Sequence, residues 1–168
     1  EAAYLPEPFE VEMTDIAEAD DLFSRYAMNH PDCVIYTQDK DMRMVPGWHL
    51  DWLTHVMFKL GTDFRVEHDG KVWGRAWFWS QMLHGDSADN IPGLEKQPAK
   101  ELGKFKTCGW GCAEDYLGAA KDDVAAFATV SQLYEAYYGP AWRDRFVEQA
   151  ALLWMRVDKP AYIGDFMR

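Results

Sequence analysis

This chain is short of positive charge. It carries 17 Lys and Arg against 28 Asp and Glu, a formal net charge of −11. That balance argues against broad affinity for nucleic-acid phosphates, unless the carboxylates are taken up by bound cations. Cysteine is scarce as well. Cys33, Cys108 and Cys112 make no even disulfide framework, and with no second pair they make no zinc site. Free thiols in a reducing, cytoplasmic compartment are the expectation. No apolar run is long enough to span a bilayer, and no signal peptide, internal repeat or low-complexity tract is visible. The chain starts at Glu1 rather than Met, and is expected to begin inside a larger domain.

What is present is a core. Hydrophobic residues make up 48% and aromatics 15% of 168 residues, which fits one domain or the larger part of one and excludes disorder as the default.

The acidic residues are unevenly placed. Seven carboxylates fall in three short clusters: Glu18-Ala19-Asp20-Asp21, Asp39-Lys40-Asp41, and the stretch Gly85-Asp86-Ser87-Ala88-Asp89-Asn90-Ile91-Pro92-Gly93. Carboxylates gathered this way suit hard divalent cations. Each cluster also has a plainer reading. Glu18, Asp20 and Asp21 open a helix over 17–29, where acidic residues favour the positive end of the dipole. Asp39 and Asp41 follow the apolar run Cys33–Thr37, which reads as a strand buried on both faces, and they fit a solvated turn. The carboxyl ends of such strands are also where open α/β sheets bind ligands.

Local patterns place the other elements. Phe9–Met13 alternates like a short strand. Met42–Val45 reads as a helical turn closed by Pro46-Gly47. Strands are expected at Trp48–Trp52 and Val56–Phe58, and a hairpin at 63–73 turning on Asp69-Gly70. A Trp-rich helix covers 75–84, its Trp77, Phe78 and Met82 in the core. His49, His55, His68 and His84 share no metal-ligand spacing. Lys96, Lys100 and Lys104 recur at the spacing of one helix face, with Lys106 beyond. Gly109-Trp110-Gly111 opens a helix through about residue 120, presenting backbone N–H groups to a phosphate. Helices follow from Asp122-Asp123 to Tyr138 and from Ala141 to Val157, ahead of a loosely held tail.

The ordered set of Glu-Ala-Asp-Asp, Asp-Lys-Asp, Gly-Asp-Ser-Ala-Asp-Asn-Ile-Pro-Gly and Gly-Trp-Gly resembles the 5′→3′ exonuclease and flap endonuclease family, which includes the 5′-nuclease domain of bacterial DNA polymerase I and the phage exonucleases. The wording and short spacings look most like the phage members, and the likeness covers about residues 9–120. It implies an α/β fold: part of a PIN-like parallel sheet with helices over 1–84, then a helix–three-turn–helix DNA-binding region and C-terminal helices over 85–168. Residue by residue, it implies metal ligation by Glu18, Asp20, Asp21, Asp39, Asp41, Asp86 and Asp89, with Asp20, Asp39, Asp41 and Asp86 catalytic. Glu18, Asp20 and Asp39 resemble ligands of a first ion, and Asp21, Asp41, Asp86 and Asp89 those of a second. Mg²⁺ or Mn²⁺ is the implied cofactor, two ions, with K⁺ an addition in the helical element. Lys104, Lys106, Gly109, Trp110 and Gly111 would contact a DNA backbone carrying a 5′ end or flap.

Two departures from the family matter. Its members carry, before the Glu-Ala-Asp-Asp motif, a central strand with an essential Asp, a second Asp and a basic arch, none of which occurs here. A fragment, or one half of a split nuclease completed by a partner chain, is therefore an expectation, as is a DNA-binding remnant that cannot cleave. Second, the Gly93–Gly109 loop is longer than in polymerase-linked members, and Cys112 stands where a phosphate-friendly residue is usual; Lys104 or Lys106 would compensate. A PIN-like ribonuclease is a further alternative, against which the Gly-Asp-x-x-Asp-Asn-Ile-Pro-Gly stretch argues. No membrane partner is expected.

Overall fold

The computed structural model describes residues 12, 13, 15, 18–94, 97–98, 105–106 and 108–155, with 97–98 and 105–106 known by backbone alone. The strand expected at 9–13 lies mostly outside these residues, and Glu12 and Met13, which are described, form no strand. Lys96, Lys100, Lys104 and the C-terminal tail also lie outside them. The fold is mixed α/β, with small sheets and helices.

The structure is built on α2 (Arg75–His84), in which every residue from Ala76 to Leu83 is buried. The sequence Ala-Trp-Phe-Trp-Ser-Gln-Met-Leu is apolar around nearly the whole helix, and such a helix must be covered on every side. Helices α3 (Trp110–Leu117), α4 (Asp123–Tyr138) and α5 (Trp142–Leu153) cover it from the C-terminal half of the chain. Trp79 and Phe78 have no exposed surface, which makes them the largest apolar contributors, at roughly 1.5–3 kcal/mol for each such side chain. Two polar residues of α2 are also buried. Ser80 donates to the Ala76 carbonyl at 2.9 Å, and Gln81 reaches toward the acidic residues described below.

Helix α4 starts where Asp122 accepts the Ala125 N–H at 2.8 Å, an N-cap with extended backbone. Its Ala126, Val130 and Tyr134 recur one turn apart and are buried. Gly139, at φ +57°, and Pro140 stop it, because a left-handed residue followed by a proline cannot continue a helix. Asp123 ties α4 to α2, accepting from Arg75 Nε at 2.5 Å and from Trp79 Nε1 at 2.9 Å. In α5, Phe146, Ala150 and Leu153 face the core.

The N-terminal half is a set of short strands, of which Lys71–Trp73 packs on α2 together with the turn Asp41–Met44. Helix α1 (Ala19–Asn29) leads into β1 (Val34–Ile35), which pairs parallel with β2 (Gly47–Leu50); β2 pairs antiparallel with β3 (Met57–Leu60). Asp41–Met44 form a 3-10 turn between β1 and β2, as its position before Pro46-Gly47 predicts. Strands β4 (Val66–His68) and β5 (Lys71–Trp73) make the expected hairpin. Asp69 and Gly70 both have positive φ, +51° and +67°, which matches the twist of the two strands.

Three expectations are corrected. The strand over Cys33–Thr37 is shorter and buried on one face only. Ile35 is buried, whereas Val34 and Tyr36 are nearly half exposed. The outer edge of β1 is unpaired among the described residues; with Phe23 and Tyr26 it borders an open groove. Within the expected lysine-bearing helix, Gln97–Pro98 instead form β6, which pairs antiparallel with β7 (Phe105–Lys106), while the stretches on either side of β6 lie outside the described residues. The period-four lysine spacing was a charge pattern without the apolar stripe that holds a helix down. Finally, Cys108 and Cys112 are not free thiols. They form a disulfide, their Cα atoms 5.3 Å apart across the first turn of α3, and Cys33 is the free cysteine. No helix among the described residues is long and apolar enough to cross a membrane.

Candidate metal centre

The Gly85–Gly93 loop follows directly from α2 and closes on itself. Asp86 donates its N–H to the Ile91 carbonyl at 2.8 Å and accepts from the Ile91 N–H at 2.7 Å. Gly85 and Gly93 have φ of +73° and +65°. A Cβ at Gly85 would strike the Ile91 carbonyl, and one at Gly93 the backbone of Gly85 and Leu83. Only glycine fits two strands of backbone brought this close. The loop is fastened from α4 and α5, where Tyr138 and Gln149 both donate to the Gly93 carbonyl, at 3.2 and 2.9 Å.

This loop turns the Asp86 carboxylate inward, where the residue is 2% exposed. Asp86 accepts the Ala88 N–H at 3.0 Å and the Asp89 N–H. Asp41, at the start of the 3-10 turn after β1, arrives from the other side. One oxygen each from Asp41, Asp86 and Asp89 lie within 4.8 Å of one another. Gln81 spans two of them, donating from Nε2 to Asp41 at 2.6 Å and to Asp86 at 3.3 Å. Lys40 sets its ammonium 2.5 Å from Asp86 and 4.0 Å from Asp41.

Asp39 joins a second group. Its carboxylate accepts the Asp41 N–H at 2.8 Å and meets Asp20 of α1. The electrostatics follow this layout. Burial, then the neighbouring charges of Asp39 and Asp21, push the Asp20 carboxyl up, against a backbone hydrogen bond. Burial, then the charges of Asp39 and Asp86, push Asp41 up, against the Gln81 hydrogen bond and Lys40. Burial would raise Asp86 too, but the Lys40 ammonium and the Ala88 and Asp89 N–H groups outweigh it and hold the carboxylate below its ordinary range. Lys40 is held up by Asp86, Asp41 and Asp89 against the opposing effect of burial. The result is one acid band running Asp21, Asp20, Asp39, Asp41, Asp86, Asp89, with one ammonium in it.

The donor set suits a hard cation, since it is made of carboxylate oxygens. Gln81 Oε1 is buried and has no hydrogen-bond partner although its amide touches both Asp41 and Asp86. A buried carbonyl oxygen without a donor is costly to leave so; it is the amide nitrogen that meets the two acids.

Of the residues singled out from the sequence, Asp41, Asp86 and Asp89 converge, and Asp20 and Asp39 pair beside them. Glu18 precedes α1 at its N-cap, and Asp21 lies in the first turn of α1 next to Asp20. Gly109, Trp110 and Gly111 start α3 and are exposed. Trp110 packs against Trp77 and His84, with ring centroids 5.7 and 5.8 Å apart. Lys104 lies outside the described residues, and Lys106 is placed by backbone alone. Sequence reasoning missed Gln81 and Lys40. A long polar side chain inside the apolar run of α2 was the available signal for Gln81.

The chain matches no protein-family model, and neither a curated protein nor a solved structure is significantly similar to it.

Proposed function

We propose that this chain is a divalent-cation-dependent nuclease, a 5′→3′ exonuclease or flap endonuclease that hydrolyses DNA phosphodiesters in replication or repair. The observation that carries this reading is the meeting of Asp20, Asp39, Asp41, Asp86 and Asp89, which come from three distant segments, in one acid band. The order of the motifs in the chain supports it independently. On this reading residues 1–84 are part of a PIN-like nuclease domain, and 85–168 hold a helix–three-turn–helix grip and its supporting helices.

Asp41, Asp86 and Asp89 would hold one Mg²⁺ or Mn²⁺, and Asp20 and Asp39, with Glu18 and Asp21 from the same helix start, a second. Two such ions supply a nucleophile at neutral pH and stabilise the leaving oxygen of an in-line displacement. The chain's own residues do the rest. The closed Gly85–Gly93 loop fixes the Asp86 carboxylate, so little reorganisation is needed on binding. Gly109–Gly111 offer backbone N–H groups to a DNA phosphate without reading sequence, and K⁺ is an added ligand there.

A second reading is a DNA-binding remnant that does not cleave. One observation favours it: the Lys40 ammonium already lies against Asp86, where a cation's charge would otherwise be needed. One experiment separates the two. A 5′-labelled flap or nicked duplex is incubated in Mg²⁺ with the chain and with Asp86→Ala. Release of short 5′ products, lost in the variant, supports the nuclease. Binding without cleavage supports the remnant. Neither binding nor cleavage would overturn both.

A further inference from the structure

A cleft of about 310 Å³ opens beside the acid band, lined by Asp39, Lys40, Arg43, Trp52, Lys71 and Trp73 among others. Asp39 and Lys40 belong to both, so the cleft and the candidate metal centre share a wall. Three cations on one cleft are conspicuous in a chain with a net charge of −11. Two of them are neutralised: Lys40 by Asp86, and Lys71 by Asp51 and Asp69, each at 3.8 Å.

Arg43 differs from the other two. Its guanidinium lies 4.6 Å from the centre of the Trp77 ring. Among the described residues no carboxylate comes within ion-pair distance of it and no acceptor takes a hydrogen bond from it. It is half-buried, and burial pushes its pKa down despite the charge of Asp41. A guanidinium partly stripped of water and left without an anion is an incomplete arrangement. Its planar fork matches a phosphate.

The same cleft offers an aromatic face. Trp52 stacks on Tyr36, with centroids 4.5 Å apart and planes 22° apart, yet remains 43% exposed. Trp73 also lines the cleft, its indole N–H donated to the His68 carbonyl at 3.3 Å. An exposed indole, Trp52, lining the same cleft as a guanidinium without an anion fits a ligand that combines a flat ring with a phosphate.

We infer that this cleft binds one nucleotide of a single DNA strand, the base stacked on Trp52 and a phosphate held by Arg43, next to the phosphodiester presented to the acid band. A single strand is favoured, because taking a paired base out of a duplex stack costs a few kcal/mol. The inference rests on the nuclease reading for its role, but not for the binding itself.

The test is fluorescence anisotropy of a 3′-labelled oligothymidylate with the full chain in EDTA, where no cleavage occurs. Trp52→Ala and Arg43→Gln are each expected to weaken binding about tenfold, the scale of one base–aromatic stack or one good phosphate contact. Inorganic polyphosphate, which has an anion and no base, should lose affinity with Arg43→Gln and keep it with Trp52→Ala. Trp52 is exposed enough for its variant to fold. Should Arg43→Gln lower the melting temperature, Arg43→Lys keeps the charge, loses the fork and serves instead. Unchanged oligothymidylate binding in both variants, or no binding by the wild type, overturns the cleft. If the chain cleaves DNA while both variants bind normally, the nuclease stands and the cleft falls. If it never cleaves but the variants lose binding, the cleft stands and the nuclease falls.

Discussion

The Lys40 ammonium lies 2.5 Å from the Asp86 carboxylate, although Lys40 follows β1 and Asp86 follows α2. Asp86 is almost fully buried and Lys40 about one-third exposed, so the carboxylate depends on the lysine more than the lysine on it. Lys40→Gln is expected to destabilise the chain in EDTA by about 1–2 kcal/mol, below the cost of breaking a fully buried pair because water reaches the lysine. Mg²⁺ should restore the lost charge. The rise in Tm on adding Mg²⁺, read by scanning calorimetry, is therefore expected to be larger in the variant. Equal rises would show that Lys40 and a cation do not compete.

The closing loop makes a different demand. Gly93→Ala puts a methyl group into the backbone of Gly85 at φ +65°, and is expected to cost upwards of about 3 kcal/mol. Gly70→Ala tests strain alone, since its φ is +67° with nothing within 4 Å of the added carbon, and about 1 kcal/mol is expected. Urea unfolding of the two variants measures the difference. Similar losses would mean that the close approach of Gly85 and Gly93 is unimportant.

Acid should weaken the fold through His49. Its ring donates to the Val45 carbonyl at 2.8 Å, and burial lowers its pKa below 6.5, against that hydrogen bond. The unfolded chain therefore takes up the proton first. Stability is fully present above 6.5 and falls as pH drops toward the folded value, and burial gives His84 the same sign. Asp20 and Asp41 act in the opposite sense at lower pH. Their pKa values are raised above 3.8, so their contribution is full below 3.8 and is lost as pH rises through the folded value. Unfolding free energy followed downward from pH 8 should drop below 6.5, and His49→Gln should flatten that drop. An unchanged slope in the variant would remove His49 as its source.

The disulfide predicts a labelling pattern. Cys33 alone should alkylate before reduction, and all three cysteines after it. Closing so short a loop stabilises by about 2 kcal/mol in the chain-entropy estimate, so dithiothreitol should lower the Tm by a few degrees. Alkylation of Cys112 in the unreduced protein would contradict the bond.

Elements with local signals were legible in the sequence. The Arg75–His84 helix, the Asp122 cap of α4, the Gly139-Pro140 stop and the Asp69-Gly70 turn appear where their residues put them, because caps, turns and periodicity act over a few residues. The strand at Cys33–Thr37 was less so. Apolar composition could not tell that Ile35, and partly Cys33, face the core while Val34 and Tyr36 do not, since burial depends on what lies on the other side. A helix through the Lys96–Lys104 spacing is interrupted at Gln97–Pro98, which pair as a strand, because charge spacing alone holds no segment in a helix.

The candidate site divides in the same way. Composition and spacing alone determined that carboxylates are concentrated in three clusters, and that one of them lies in a glycine-bounded loop after an apolar helix. Only the tertiary structure decided that Asp41, Asp86 and Asp89 converge, that Gln81 bridges two of the acids, that Lys40 supplies the positive charge, and that Cys108 meets Cys112. The reason is physical. A motif fixes the chemistry a segment can offer, but the distance between charges from separate segments is set by how α2, the β1–β2 pair and the helices behind them pack. Distance and burial together decide whether several like charges repel or form one site.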